Sequence, residues 1–112
     1  MLKNGTATLE GELARLDAKD IVRIGRFHKA YSITLAAGKT YQIDMNSNKL
    51  DSYLRLTDEK GNQLAADDDS GGFPNARILF PCIRSGTYRI IATTFGPEEI
   101  GPYRLTVQEL AR

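Results

Sequence analysis

The sequence predicts an all-β fold, an antiparallel β-sandwich of jelly-roll type with about seven to nine short strands. Three observations lead there. Short stretches alternate apolar and polar residues with period two, while helical periodicity is nearly absent. Clusters of Gly, Asn, Asp and Pro, the usual turn formers, separate these stretches. The length of 112 residues fits a single domain, 1–112, and such a domain buries roughly two thirds of its unfolded surface with no staple.

The elements follow in order. "TATLEGELA" alternates moderately, and "DAKDIVRIGRF" fits either a strand or one helical turn. "YSITL" sets Tyr31, Ile33 and Leu35 against Ser32 and Thr34. "TYQIDM" sets Tyr41, Ile43 and Met45 against Gln42 and Asp44. "YLRL" places Leu54 and Leu56 opposite Tyr53 and Arg55. "YRIIATTF" divides Tyr88, Ile90, Ala92 and Thr94 from Arg89, Ile91, Thr93 and Phe95. "YRLTV" closes with Tyr103, Leu105 and Val107 against Arg104 and Thr106. Each pattern is that of a half-buried strand, so the faces bearing Arg, Gln, Thr and Asp44 are expected to meet water. "AAGK" and "DEKGN" read as tight turns in which Gly38 and Gly61 take positive φ, and "RSGTY" around Gly86 reads likewise. "FGPEEIGPY" is a longer loop, and the tail "QELAR" is expected to fray or to lead into a neighbouring domain.

Composition removes several function classes. Lys and Arg number 15 against 14 Asp and Glu. That balance argues against nucleic acid or an anionic membrane as partner, since both call for a basic excess. No apolar run reaches the length of a membrane span. Met1 is followed by a polar segment with no apolar signal core, which fits a cytosolic chain or a piece of a larger one. The single Cys82 and single His28 exclude an internal disulfide and a Cys- or His-based zinc cluster. A Cys82–His28 dyad is formally available, but Cys82 lies in the apolar strand end "LFPCIRSG", where a buried thiol is expected. His28 is expected at the surface or in a turn ahead of the Tyr31 strand. No nucleophile elbow, phosphate loop or dinucleotide fingerprint is present. "NGT" at Asn4 fits a glycosylation sequon, a match that arises readily by chance.

The candidate chemistry lies in "LAADDDSGGFPN". In an extended segment Asp67 and Asp69 share a face about 7 Å apart. They then repel by roughly 0.6 kcal/mol in water and roughly 2.4 kcal/mol at an effective dielectric of about 20. A solvated loop tolerates this, whereas a partly buried loop needs backbone N–H donors, an Arg or a cation. Calcium is the natural cation because it accepts many hard oxygens in loop geometry. The EF-hand spacing fails, since the twelfth position counted from Asp67 is Ile78. The spacing therefore favours a structural turn, with calcium at Asp51, Asp67, Asp68 and Asp69 next and catalytic acids last. Asp51 follows the polar turn "NSNK" and joins this set if the two loops meet at one end of the sandwich. Tyr53, Phe73 and Phe95 fall off the predicted apolar face or in loops, which makes them candidates for a ligand surface; edge packing is the simpler account of each.

Assembled, the pieces resemble a known family. The order is "YSITLAAGKTYQIDM", "LDSYLRLTDEKGNQLAADDD", "ARILFPCIRSGTYRIIATT" and "GPYRLTV". This is similar to the bacterial pre-peptidase C-terminal (PPC) domain, the type found as the collagen-binding domain of clostridial collagenases. The matching positions are Gly38, Asp51, Tyr53, Leu54, Leu56, Asp58, Gly61, Leu64, Ala65, Asp67, Asp68, Gly86, Thr87, Tyr88, Ile90, Gly101, Tyr103, Leu105 and Val107, within about residues 20 to 108. The resemblance implies a jelly-roll sandwich without catalytic activity. It implies an accessory domain of an exported bacterial protein, extracellular, periplasmic or at the cell surface. Its partners would be the catalytic or other domains of a parent protein, or an extracellular polymer or protein, with roles in substrate binding, secretion or stability. Some members bind calcium through linker and loop acids. The upstream Glu10, Glu12, Asp17 and Asp20 do not align with such a linker motif.

Overall fold

The computed structural model describes residues 5–14, 17, 26–68, 75–96 and 99–110. Eight strands are present: β1 (Thr6–Leu13), β2 (Lys29–Leu35), β3 (Thr40–Asn46), β4 (Ser52–Asp58), β5 (Gln63–Asp67), β6 (Ala76–Pro81), β7 (Gly86–Thr94) and β8 (Gly101–Leu110). They pair antiparallel in a nested series: β1 with β8, β2 with β7, β3 with β6 and β4 with β5. The chain thus behaves as one long hairpin, folded back at the β4–β5 turn and wrapped on itself. Lateral pairing of β3 with β8 and of β4 with β7 joins the four pairs into two sheets, β1-β8-β3-β6 and β2-β7-β4-β5. This is the expected jelly-roll sandwich.

The alternation read from the sequence sets the inner faces. Ile33, Leu35, Tyr41, Ile43, Met45, Leu54, Leu56, Ile90, Leu105 and Val107 all join one buried cluster between the sheets. Fully burying such a side chain stabilises by about 1.5–3 kcal/mol, so the inner faces hold the sheets together. Tyr103 packs in the same core directly opposite Gly11 of β1. A Cβ on Gly11 would sit 2.5 Å from the Tyr103 Cζ, so glycine is required for that close approach. The Tyr103 and Tyr31 hydroxyls share a hydrogen bond that ties the two sheets. Burial, and then the Tyr31 hydrogen bond, push the Tyr103 phenol far above its ordinary value.

The sandwich has two different ends. At one, tight turns follow β2, β4 and β6. Gly38 and Gly61 there have φ of 88° and 93°, as expected. Gly86 differs: it is already the first residue of β7, paired with Leu35, and is not among the positive-φ glycines. Asp58 caps the β4–β5 turn, its Oδ1 accepting the Lys60 and Asn62 N–H groups at 2.9 Å. The other end carries the connections after β1, β3, β5 and β7.

Three expectations need correction. The tail does not fray before Leu110, because Gln108 pairs with Thr6 and Leu110 with Thr40 inside β8. The outward face of β4 and β7 does not meet water at its centre: Arg55, Thr57, Ile91 and Thr93 are all buried. The stretch just ahead of β2 reaches this face: Phe27 is itself buried there, and its carbonyl accepts the Thr93 Oγ1 hydrogen at 2.7 Å. Asp44 is on the polar face as read but only 8% exposed. The Arg77 guanidinium (2.7 Å) and the Gln42 amide (2.9 Å) cover its carboxylate. Most of "DAKDIVRIGRF" lies outside the described residues.

Candidate functional site

The long-loop end carries three of the sequence-predicted acids, Asp51, Asp67 and Asp68. Asp51 stands just before β4, while Asp67 ends β5 opposite Leu54, so antiparallel pairing brings both to this end with Asp68. Asp67 Oδ2 accepts the Arg77 N–H at 3.0 Å, tying the start of β6 to the end of β5. The Asp51 backbone is held on both sides, its N–H donating to Glu99 Oε1 (2.8 Å) and its carbonyl accepting the Phe95 N–H (2.8 Å). Glu99 also accepts the Gly96 N–H through Oε2 at 3.1 Å. Asn75 Oδ1 accepts the Ser47 N–H at 3.0 Å, and Ser47 Oγ accepts from Leu50 and donates to the Pro102 carbonyl. Acceptor side chains at this end therefore satisfy backbone donors that the loops leave unpaired. Asp69 lies outside the described residues. Among the described residues no three His, Cys, Asp or Glu side chains are grouped to hold a metal ion.

Of the aromatic candidates, Phe73 lies outside the described residues. Tyr53 is half-buried and pairs with Thr93, so the β4–β7 register sets it and Phe95 as diagonal neighbours on one outer face. Phe95 is 49% exposed, and its carbonyl accepts the Arg26 Nε and Nη2 groups. Cys82 is buried, as expected, with Sγ near the Arg84 carbonyl (3.3 Å) and the Tyr88 hydroxyl (3.6 Å). The Cys82 contact, ahead of burial, raises the Tyr88 phenol above its ordinary value. His28 precedes β2, whereas Cys82 bonds Gly38 beyond the far end of that strand. Seven residues of strand separate them by roughly 20 Å, so they form no dyad.

Two grooves were not anticipated. One, of about 580 Å³, lies at the tight-turn end between Leu64, Phe80, Pro81 and Ile83, with Asp58 and Arg84 at its rim. Ile83 is 88% exposed, the most open large apolar side chain described. The other, of about 450 Å³, lies at the long-loop end of the β1-β8-β3-β6 sheet. Glu10, Arg104, Asn46, Asn48 and Asn75 line it, beside Pro102. Register explains the miss: Glu10 faces Arg104, and Arg104 faces Asn46, across strands far apart in sequence.

With the topology and these surfaces established, comparison decides the family. The profile of the bacterial pre-peptidase C-terminal domain matches residues 29–94, more than half the chain. The chain belongs to the bacterial pre-peptidase C-terminal domain family. The match runs from β2 through β7, and the closing motif on β8 completes the same sandwich outside it. Among solved structures, the PPC domain of a Bacillus anthracis collagenase is similar at a TM-score of 0.69 and 20% identity, covering 92% of this chain and 89% of that one. PliG of Aeromonas hydrophila, a periplasmic lysozyme inhibitor of g-type lysozyme, is similar at a TM-score of 0.69 and 16% identity, covering 98% and 92%. At these identities both show a shared fold alone. No curated protein matches the chain significantly.

Proposed function

We propose that the protein is a non-catalytic accessory domain of an exported bacterial protein, working outside the cytoplasm. On this reading it holds a polymeric substrate, an extracellular protein or a partner domain of the same polypeptide close to the parent's active part. The observation that carries the reading is the contrast between the two outer faces. The β1-β8-β3-β6 sheet presents an open surface of planar hydrogen-bonding side chains, whereas the opposite sheet is closed at its centre. Open polar surface on a rigid scaffold suits binding without chemistry. Family membership supports the same role.

The acids of the long-loop end serve, on this reading, to fasten its loops. The alternative is a calcium-stabilised structural module built on Asp51, Asp67, Asp68 and Asp69, and melting with calcium and with chelator tests it. The accessory reading is tested by fusing the domain to a fluorescent protein and measuring retention on insoluble chitin, cellulose and gelatin. Retention on at least one polymer is expected. Uniform passage through all three would overturn a polymer-binding role.

A further inference from the structure

We propose that the groove at the long-loop end of the β1-β8-β3-β6 sheet binds a neutral, linear polysaccharide lying across the strands. The proposal rests on the accessory-domain reading and gives that role a ligand class and a site.

The groove is built from one cross-strand row. Glu10 on β1 is paired with Arg104 on β8, and Arg104 with Asn46 on β3. Asn75 stands one residue beyond the Met45–Ala76 pair, so it extends the row to the β6 edge. Asn48 lines the same groove from the following loop. These side chains share a chemistry. An amide offers donors and an acceptor side by side, a carboxylate accepts twice, and a guanidinium donates from a fixed fork. Sugar hydroxyls each donate and accept, and adjacent hydroxyls match such planar groups in pairs. Pro102 adds an apolar edge for the C–H side of a sugar ring.

The row is not consumed by folding. Arg104 Nε meets Glu10 Oε2 at 2.7 Å, and both side chains are more than 60% exposed (61% and 67%). An exposed pair of this kind adds little stability. It also leaves the row without net charge, which selects a neutral ligand over an acidic or basic one. The side chains of Asn46 and Asn48 have no hydrogen-bond partner among the described residues. Asn75 spends Oδ1 on the Ser47 N–H and keeps its NH₂ group.

Spacing separates sugar from peptide. Neighbouring strands lie about 4.8 Å apart, which is close to the residue repeat of an extended β-linked polysaccharide. An extended peptide repeats every ~3.3 Å and falls out of step with such a row. The volume of about 450 Å³ is within the range of small-ligand sites, roughly 300–1,000 Å³.

The test uses the intact 112-residue chain. Binding to chitin and cellulose is measured by depletion, with gelatin as the peptide polymer and soluble chitin oligosaccharide as competitor. The Asn46→Ala/Arg104→Ala double variant is expected to bind polysaccharide at least about tenfold more weakly, equivalent to about 1.4 kcal/mol. Its melting midpoint should be close to that of the parent chain. Arg89→Ala, on the opposite outer face, should bind as the parent does. Equal binding by the double variant would overturn the site. Retention on gelatin alone would overturn the ligand class and leave polymer binding standing, whereas retention on none of the polymers would overturn the ligand class and the polymer-binding role together.

Discussion

The two outer faces of the sandwich come from strands with the same alternating pattern, yet they differ in how far they are covered. On the β1-β8-β3-β6 sheet, Glu10, Arg104, Asn46 and Gln108 remain exposed. On the β2-β7-β4-β5 sheet, Arg55, Thr57, Ile91 and Thr93 are buried although alternation points them outward. Period two tells which residues share a face, but it does not tell whether that face is later covered. The difference teaches that a candidate surface on such a sandwich is found by asking which outer face stays open. The polar pattern alone marks both.

The largest test of this contrast compares two aliphatic residues that both point outward. Ile91 is 6% exposed and Leu79 is 58% exposed. Truncating a buried Ile to Ala costs about 2–5 kcal/mol, whereas a surface change stays within about 0.5 kcal/mol. Urea unfolding of Ile91→Ala and Leu79→Ala should therefore differ by at least about 1.5 kcal/mol. Equal losses would mean that the second face is as open as the first.

A smaller effect concerns how the open sheet is tied to the closed one. Gly11→Ala would drive a methyl into the Tyr103 ring and displace the Tyr103–Tyr31 link. Overpacking of this sort costs about 1–3 kcal/mol. Tyr31→Phe removes the hydrogen bond without the clash and should cost about 0.5–1.5 kcal/mol. If Tyr31→Phe proves the worse of the two, the link would matter more than the packing beneath Gly11.

Much of this was readable in the sequence, for physical reasons that stop at identifiable places. The strands over Tyr31–Leu35, Tyr41–Met45 and Tyr103–Val107 declare themselves because their inner residues are large and their outer ones polar. Gly38 and Gly61 declare their turns because positive φ suits glycine. Arg55 misleads, since nothing local shows whether its outward face will later be covered. Glu99 gives no local signal that it will hold the Asp51 N–H, a contact spanning 48 residues. The Glu10–Arg104–Asn46 row depends on register between three strands, and register is set by the whole wrap. The Asp67 carboxylate was read as a loop fastener, and its bond to Arg77 fits that reading.

Acid pH gives a gentler probe of the tight-turn end, at the β4–β5 hairpin of the closed sheet. Hydrogen bonds from the Asn62 side chain, and then its backbone, hold the Asp58 carboxyl below its ordinary value. A depressed folded pKa stabilises the fold above the ordinary aspartate range and loses that contribution as pH falls through the folded value. Asp58→Asn should flatten the acid limb of the stability profile and leave neutral stability reduced by a comparable small amount. An acid limb with unchanged slope would show that the turn does not depend on the ionised carboxylate.

The smallest expected effect is the response to calcium. A cation held at a hundredfold excess over its Kd would add about 2.7 kcal/mol to stability. For a domain near this size each kcal/mol moves the midpoint by about 4–8 °C, so occupancy would raise it by more than about 10 °C. The expected midpoint is the same in calcium and in chelator, because the acceptors seen at the long-loop end already hold backbone donors: Asp67 the Arg77 N–H, and Glu99 those of Asp51 and Gly96. A shift of ten degrees would instead show that the acids of "LAADDDSGGFPN" order their loop through a metal. The open face and the loops beside it would then form one calcium-dependent surface, and polysaccharide retention should fall with chelator as well.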